Sequence, residues 1–190
     1  MSDIWFTADL HLGHALVART RGFGDDVAEH DRVLAERWDA VVKPQDIVKV
    51  LGDLCLTRGR PHASALDWIA ERPGTKDLIW GNHDAGHPMH SGAHKAQASY
   101  LRVFRSAQQA AVMKVGRDRI HLNHMPFAAD HTFVARYPEW RPIDVGQWLV
   151  HGHTHSADPG PIGRQIHVGL DAHGLWPVSL KWVVQVMING

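Results

Sequence analysis

The chain has 190 residues, of which 44% are hydrophobic and 21% are charged, a composition typical of one soluble globular domain. Lys and Arg together number 20, as do Asp and Glu, so the formal net charge is zero. A neutral chain lacks the broad basic surface that binding to long nucleic acids usually requires. We therefore expect a single domain over residues 1–190 and no long DNA or RNA partner.

The first residues, MSDIWFTADLHLGH, have no basic opening, and Asp9 and His11 interrupt their apolar stretch, unlike a signal peptide. No apolar run approaches the ~20 residues that span a bilayer. The single cysteine, Cys55, excludes an internal disulfide and follows an apolar run, so we expect it to be buried in the core. These features predict a cytoplasmic protein without a membrane partner.

Short apolar runs alternate with helical patterns along the first half of the chain. The predicted strands are 4–7, 47–51, 77–80, 111–115, 119–123, 147–150, 165–168 and 178–186. The predicted helices are 26–42, 61–72 and 91–110, and the first two end at Lys43-Pro44 and Pro73-Gly74. Strands dominate the second half. The order predicts an α/β domain whose first half is largely parallel and whose second half adds mixed or antiparallel strands.

Histidine is unusually frequent, with 16 residues, and many of these histidines fall where an apolar run ends. Five polar clusters each follow a predicted strand: Asp9-Leu10-His11, Gly52-Asp53, Gly81-Asn82-His83-Asp84, His124, and His151-Gly152-His153-Thr154-His155. Ligands of open α/β sheets bind outside the carboxyl ends of the strands. The five clusters are therefore predicted to meet in one site.

The residue types indicate what this site holds. Carboxylates, imidazoles and one amide oxygen, without a thiolate, suit Mn²⁺, Fe or catalytic Zn²⁺ better than a structural zinc. Asp9 and His11 lie two positions apart, so an extended backbone directs both side chains to the same face. The glycines that precede or accompany the motifs, at positions 52, 81 and 152, allow the backbone to approach an ion closely.

The ordered series DLH, GD, GNHD, a lone histidine and HGHTH resembles the calcineurin-like metallophosphoesterase family, in its small bacterial and phage-type form. The similarity covers nearly the whole chain, through the stretch VGLDAHGLWPVSL. It implies a four-layer sandwich in which two mixed β-sheets lie face to face between flanking helices. The metal site would lie at the carboxyl ends of the strands.

The resemblance also implies roles for individual residues. The implied ligands are Asp9, His11 and His155 for one metal ion, Asn82, His124 and His153 for a second, and Asp53 as a bridge between them. His83 would be the catalytic histidine that protonates the leaving oxygen or stabilises phosphoryl charge, and Asp84 would hold its ring. Mn²⁺ is the favoured metal, with Fe, Zn²⁺ and Ni²⁺ as alternatives. Taken singly, each residue could instead be structural: Asp53 a loop cap, Asn82 a turn residue and His124 a core histidine.

Residues around the motifs are weaker candidates. His14 could line the mouth of the site, and Arg19 or Arg21 could contact phosphate through the guanidinium, although a solvated surface arginine is the favoured alternative. The segment 125–142 is predicted to overhang the site. The other histidines are expected to be exposed or, for His151, to pack behind the ligands; the exposed ones are His62, His87, His90, His94, His131 and His173.

The predicted function is hydrolysis of small phosphodiesters, cyclic nucleotides among them, or of phosphomonoesters by a hydroxide that bridges two metal ions. Diesters are slightly favoured, because no Lys or Arg lies within the metal motifs to balance a monoester dianion. The alternatives are a nuclease acting on DNA or RNA and a non-catalytic scaffold on the same fold. The sequence specifies neither an oligomeric state nor a pathway.

Overall fold

The structure is a computed structural model that describes residues 2–56, 60–130 and 132–190. Its strands are β1 (Ile4–Thr7), β2 (Ile47–Val50), β3 (Thr75–Ile79), β4 (Ser106–Gln108), β5 (Ala110–Val115), β6 (Asp118–Asn123), β7 (Trp148–His151), β8 (Gln165–His167) and β9 (Val178–Ser179). Its α-helices are α1 (Ala15–Thr20), α2 (Val27–Val41), α3 (Arg60–Glu71), α4 (Ala93–Tyr100) and α5 (Leu180–Asn189). Two 3₁₀ helices span Pro138–Trp140 and Leu170–His173.

The strands form two mixed sheets. The first has the order β4-β3-β2-β1-β9, in which only β9 runs antiparallel to its neighbour. The second has the order β5-β6-β7-β8, in which β5 and β6 are antiparallel and the other two pairs are parallel. The carboxyl ends of β1, β2 and β3 therefore lie along one edge, as do those of β6 and β7 in the second sheet.

The two sheets face each other across an apolar core. Phe6 and Ile79 of the first sheet belong to the same buried cluster as Ile120, Val150 and Ile166 of the second. A second cluster joins the other face of the first sheet to its helices, with Leu34 and Trp38 from α2, Ile69 from α3 and Tyr100 from α4. Burial of these apolar side chains on both faces holds the strand ends, and the loops that follow them, in fixed positions.

Local sequence explains most boundaries. The Asp26 side chain accepts a hydrogen bond from the Glu29 backbone N–H and caps α2, which ends just before Lys43-Pro44. The two mixed sheets that face each other, with helices outside, confirm the predicted fold class. The predicted strands 4–7, 47–51, 77–80, 111–115, 119–123, 147–150 and 165–168 correspond to β1, β2, β3, β5, β6, β7 and β8.

Two predicted elements are wrong. The run 178–186 is a strand for only two residues, because Ser179 accepts a hydrogen bond from the Trp182 N–H and caps α5. Leu180, Val183 and Met187 then form one apolar face at helical spacing that packs on the inter-sheet core. The predicted helix 91–110 is too long, because only α4 is helical and the chain then forms β4 at the edge of the first sheet.

Cys55 is buried, as predicted, and burial raises the pKa of its thiol to about 12. A thiol that stays protonated at neutral pH is a poor nucleophile, which agrees with a core role. Within the described parts of the chain, no helix is long and apolar enough to cross a membrane.

Candidate metal centre

The loops that follow the strands are bound to one another through their backbones. The Asp9 N–H donates to the Gly52 carbonyl and the His11 N–H to the Asp53 carbonyl, each at 3.0 Å. The His153 N–H in turn donates to both oxygens of the Asp9 carboxylate, at 3.1 and 3.0 Å. Loops from both sheets thus form one rigid unit, and the structure brings together all seven residues that the resemblance implies as ligands.

The seven side chains form two groups around a shared residue. In the first group, Asp9, His11 and His155 place one donor atom each within 4.8 Å of one another, and the Nε2 atoms of the two histidines are 3.1 Å apart. In the second group, Asn82 Oδ1 lies 3.1 Å from His124 Nε2 and 2.9 Å from His153 Nδ1.

Asp53 lies between the groups. Its Oδ2 is 3.7 Å from His11 Nε2 in the first group and 3.4 Å from His124 Nε2 in the second. Its other oxygen accepts the His83 backbone N–H at 2.8 Å, which fixes the direction of the carboxylate. This is the position that a ligand shared by two ions would occupy.

Three of the candidate ligand histidines have an oxygen acceptor beside the ring nitrogen that faces away from the other ligands. His155 Nδ1 lies 2.9 Å from an Asp171 oxygen, and His153 Nε2 lies 3.1 Å from an Asp130 oxygen. His124 Nδ1 lies 2.7 Å from the Leu51 carbonyl. Because an imidazole nitrogen beside such an acceptor carries the proton, the other nitrogen of a neutral ring is an acceptor.

In the second group, Asn82 Oδ1 therefore faces the acceptor nitrogen of the neutral His153 ring, a contact that is repulsive unless a cation lies between them. The separations of 2.9 to 3.1 Å suit this interpretation. Two ligands with bonds of ~2.1 Å to the same ion lie about 3 Å apart when the bonds are perpendicular. The donor set of carboxylate, imidazole and amide oxygen thus fits one divalent cation in each group.

The titration properties of the ligands agree with this chemistry. Burial lowers the pKa of His11 to about 3 and that of His153 to about 4, so at neutral pH both rings are neutral, which is the form that binds a metal. Burial also opposes charge on His124, but the Asp53 carboxylate outweighs it and raises the pKa of His124 to about 9. A proton therefore takes the place of a cation at His124 when the second group holds no metal.

The backbone at the site is strained. Among the proposed ligands, φ is positive for Asp9, His11, Asp53, His153 and His155. Non-glycine residues adopt this left-handed region rarely, and such strain clusters at functional sites. Glycine is also required at two neighbouring positions. A Cβ at Gly81 would overlap the Asp53 carboxylate, and a Cβ at Gly152 would overlap that of Asp9. The predicted need for glycine beside the ligands is thus explained by close approach.

Two carboxylates that sequence reasoning missed, Asp130 and Asp171, support the histidines. Asp130 lies in the segment that was predicted to overhang the site, and its side chain is fully buried between His153, Arg136 and Arg141. Asp171 lies in the 3₁₀ helix Leu170–His173 and bridges His155 and Arg21. Asp171 lies in the stretch VGLDAHGLWPVSL, but the sequence did not indicate which residue of that stretch would contact a ligand.

Arg21 corrects a prediction, because it has no N–H left for a phosphate. Its Nε and one Nη2 hydrogen bind the two oxygens of Asp171, at 2.8 and 2.9 Å. The remaining donors bind the carbonyls of Asp9 and Leu10 and the His30 Nε2. All five N–H groups are used, and the side chain is only 3% exposed. Arg21 therefore fixes the Asp9–His11 loop from behind.

Asp84 also differs from its predicted role. The two Asp84 oxygens accept hydrogen bonds from the backbone N–H groups of Gly81, Asp53 and Leu54, so Asp84 joins the loops after β2 and β3 and does not hold the His83 ring. Arg19 pairs with Asp25 at the exposed surface, which agrees with the favoured prediction of a solvated surface arginine.

His83 and His14 lie beside the first group. The centroid of the His83 ring is 5.4 Å from that of His11, and the centroid of the His14 ring is 5.5 Å from it. Both histidines line a cavity of about 970 Å³ that opens from His11 and His155. His14 also accepts the Val17 N–H and caps α1. The expected positions of both residues at the mouth of the site are thus compatible with substrate contact.

Among the remaining histidines, His87 was expected to be exposed but is buried against Trp140, with 5.0 Å between ring centroids. His151 is buried behind the ligands and stacks on His167, whose ring lies 3.9 Å from Asp9. His131 lies outside the described residues.

Two phage proteins and one solved structure are among the known proteins to which this chain is similar. The chain is 46% identical to the gene 66 protein of Mycobacterium phage L5 over 188 residues, which cover 92% of this chain and 89% of that protein. It is 42% identical to the gene 66 protein of Mycobacterium phage D29, over 100% of this chain and 97% of that protein. A protein of unknown function from Aquifex aeolicus, AQ665, superposes with a TM-score of 0.71 at 21% identity, over 97% of this chain and 99% of that one. No protein-family model matches the chain.

Proposed function

This chain belongs to the family of the gene 66 proteins of mycobacteriophages L5 and D29, and from the site that it carries we propose that it is a metal-dependent phosphoesterase. The observation that carries the proposal is the meeting of two groups of candidate metal ligands at Asp53. Six ligands in two groups with one shared carboxylate would provide four contacts per ion, which leaves positions open for water and for substrate oxygens on an octahedral ion such as Mn²⁺.

The bound cations would activate a water and neutralise charge on the phosphoryl oxygens. The chain's own residues would position these cations. Asp53 keeps the two groups at a fixed separation, because its second oxygen is bound to the His83 backbone. Asp130 and Asp171 orient the rings of His153 and His155 and raise their basicity as ligands. The left-handed backbone of the ligand loops holds these side chains ready before any ion binds.

His83 is proposed to donate a proton to the leaving oxygen. Its ring lines the cavity beside His11, while its backbone binds Asp53, so the ring is tied to the proposed metal bridge without being a ligand itself. A proton donor at this place would act on the group that departs into the cavity.

The proposed substrate is a small phosphate ester, with diesters favoured over monoesters. A monoester dianion requires more positive charge than a diester, but Arg21 has no donor to offer and Arg19 lies elsewhere. The side chains around the first group at the cavity mouth are histidines. A singly charged diester fits this surrounding better.

The test is a panel of metals and esters on the purified protein. Mn²⁺, Fe²⁺, Zn²⁺ and Ni²⁺ are compared on aryl diesters, aryl monoesters of matched leaving group, and 2′,3′- and 3′,5′-cyclic nucleotides. We expect activity that is lost with a chelator and restored by a divalent metal, with diesters preferred. A kcat/KM for monoesters that exceeds that for diesters by ~100-fold, about 2.7 kcal/mol, would reverse the substrate preference. Metal binding without hydrolysis of any ester would support a scaffold, and selective degradation of long RNA or DNA would support a nuclease.

A further inference from the structure

The cavity beside the first group is much larger than one phosphate requires. Its volume of about 970 Å³ lies at the upper end of the ~300–1,000 Å³ typical of sites for whole small molecules. His11, His83 and His155 line the part at the ligands. Apolar side chains line much of the remainder: Leu16, Val17, Phe23 and Leu175. The cavity can therefore hold an organic group in addition to the phosphate.

One arginine on the cavity wall still has donors to offer. Arg37, on α2, donates one Nη1 hydrogen to the Gly174 carbonyl, and its guanidinium lies 5.7 Å from the centre of the Trp176 ring. No ion pair among the described residues includes it, in contrast to Arg21, whose five N–H groups are all bound. The Nε and Nη2 atoms of Arg37 remain available on a surface that borders the cavity.

Arg37 contacts a different part of the cavity wall from the ligands. It binds Gly174, which follows the 3₁₀ helix Leu170–His173, whereas His155 binds Asp171 near the start of that helix. A molecule that extends from the first group to Arg37 would contact both parts of the wall.

We propose that the cavity takes a phosphate ester whose organic part carries a second anionic group, and that Arg37 binds this second anion. The inference rests on the proposed function for the phosphate end of the molecule. The apolar walls pack against the organic part, and the guanidinium binds a carboxylate or a phosphate at its far end through two N–H groups. Arg37 is thus a specificity-determining residue of the site.

The test measures binding to the metal-loaded protein by calorimetry. Three dialkyl phosphinates, in which both organic groups are joined to phosphorus by P–C bonds that are not hydrolysed, share one alkyl chain that ends in a carboxylate, a phosphonate or a methyl ester. We expect the wild-type protein to bind at least one anionic probe about tenfold or more tightly than the methyl ester, as a charge-assisted contact provides. The tighter of the two anionic probes identifies which anion the cavity prefers.

The variants are Arg37→Gln, Arg37→Lys and, as a matched control on the same helix, Arg32→Gln. Arg32 is exposed and pairs with Glu29 and Glu36, away from the cavity lining. We expect Arg37→Gln to abolish the preference for the anionic probe, Arg37→Lys to keep part of it, and Arg32→Gln to keep all of it. Thermal unfolding shows whether each variant is folded. If Arg37→Gln does not fold, the preference for the anionic probe is measured on Arg37→Lys.

The outcomes separate this inference from the proposed function. Equal binding of all three probes by the wild-type protein would overturn the inference, as would a variant that weakens all probes alike, since Arg37 would then only hold the Gly174 turn. Ester hydrolysis without any preference for an anionic tail would leave the phosphoesterase proposal standing alone. Tail-selective binding that depends on Arg37, without hydrolysis of any ester, would support the inference and reject the phosphoesterase.

Discussion

The two groups of the proposed metal centre are built from the same chemistry but supported by different parts of the chain. The first group is backed by Asp171, which lies on a 3₁₀ helix and is bound by the buried guanidinium of Arg21. The second group is backed by Asp130, which lies in an irregular stretch and is bound by Arg136 and Arg141 from the same stretch. Each group thus has a carboxylate and arginine support of its own.

Because the two groups have different supports, the two metal positions should be separable by mutation. Damage to one carboxylate disturbs one histidine ring, since Asp171 contacts His155 and Asp130 contacts His153. Asp53 faces a histidine of each group through the same oxygen. The comparison therefore predicts one substitution that affects both metal positions and two that each affect one.

The largest effect is expected from Asp53→Asn. A neutral amide replaces the carboxylate between the groups, and even outer-shell changes at metal sites cost ~10–100-fold, so we expect a loss of more than ~100-fold in activity and weakened binding at both positions. Metal content by mass spectrometry and kcat/KM on an aryl diester would measure it. Full activity with two ions still bound would show that Asp53 does not join the groups.

His83→Ala should be the next largest. His83 lies beside the first group without being a ligand, so metal content and fold should persist while kcat falls by ~10²–10⁴-fold on an ester with a poor leaving group. The fall should be smaller for an activated phenol, which needs no proton. His94→Ala, on the exposed side of α4, is the control. Equal losses across leaving groups of very different pKa would remove the role as proton donor.

Asp171→Asn and Asp130→Asn should each affect only one of the two metal positions. Each amide can keep the shape of the support but weakens the orientation of one ring, so we expect ~10–100-fold weaker binding of one ion in each variant and an unchanged second ion. Calorimetric titration with Mn²⁺ would resolve the two sites. Asp25→Asn, which alters an exposed pair with Arg19, is the control. If both variants lose the same ion, the two groups are not independently supported.

The smallest effect is expected outside both groups, at Ser179. Ser179→Ala removes the hydrogen bond that caps α5, which should lower the free energy of unfolding by ~1 kcal/mol without changing metal content. Chemical denaturation with and without bound metal would measure this. A loss of metal in this variant would mean that the site depends on the packing of α5.

The sequence was sufficient to predict which strand ends meet, but not which carboxylates contact the candidate ligands. Asp9, Asp53 and Asn82 lie two or three residues after β1, β2 and β3, so strand periodicity alone places them at one edge. Asp130 lies 23 residues from its partner His153 in a segment without periodicity, and Asp171 lies 16 residues from His155. Contacts of this kind depend on how irregular segments fold back, which no local pattern encodes.

The same limit explains why the surroundings of Arg21 and the secondary structure of 178–186 were predicted wrongly. Arg21 precedes a glycine in a polar stretch that resembles a solvated loop, but tertiary folding buries it against the Asp9 and Leu10 carbonyls. The run 178–186 is apolar and rich in β-branched residues, so its periodicity suits a strand or a helix. The Ser179 cap and the packing face of Val183 decide for the helix.

The most direct test of the account is a crystal structure of the Mn²⁺-loaded protein with anomalous diffraction data. The account predicts two anomalous peaks per chain, ~3.5–4 Å apart, one in each group, with the Asp53 carboxylate in contact with both. A single ion enclosed by four protein ligands at full occupancy, or two ions of which only one contacts Asp53, would contradict it.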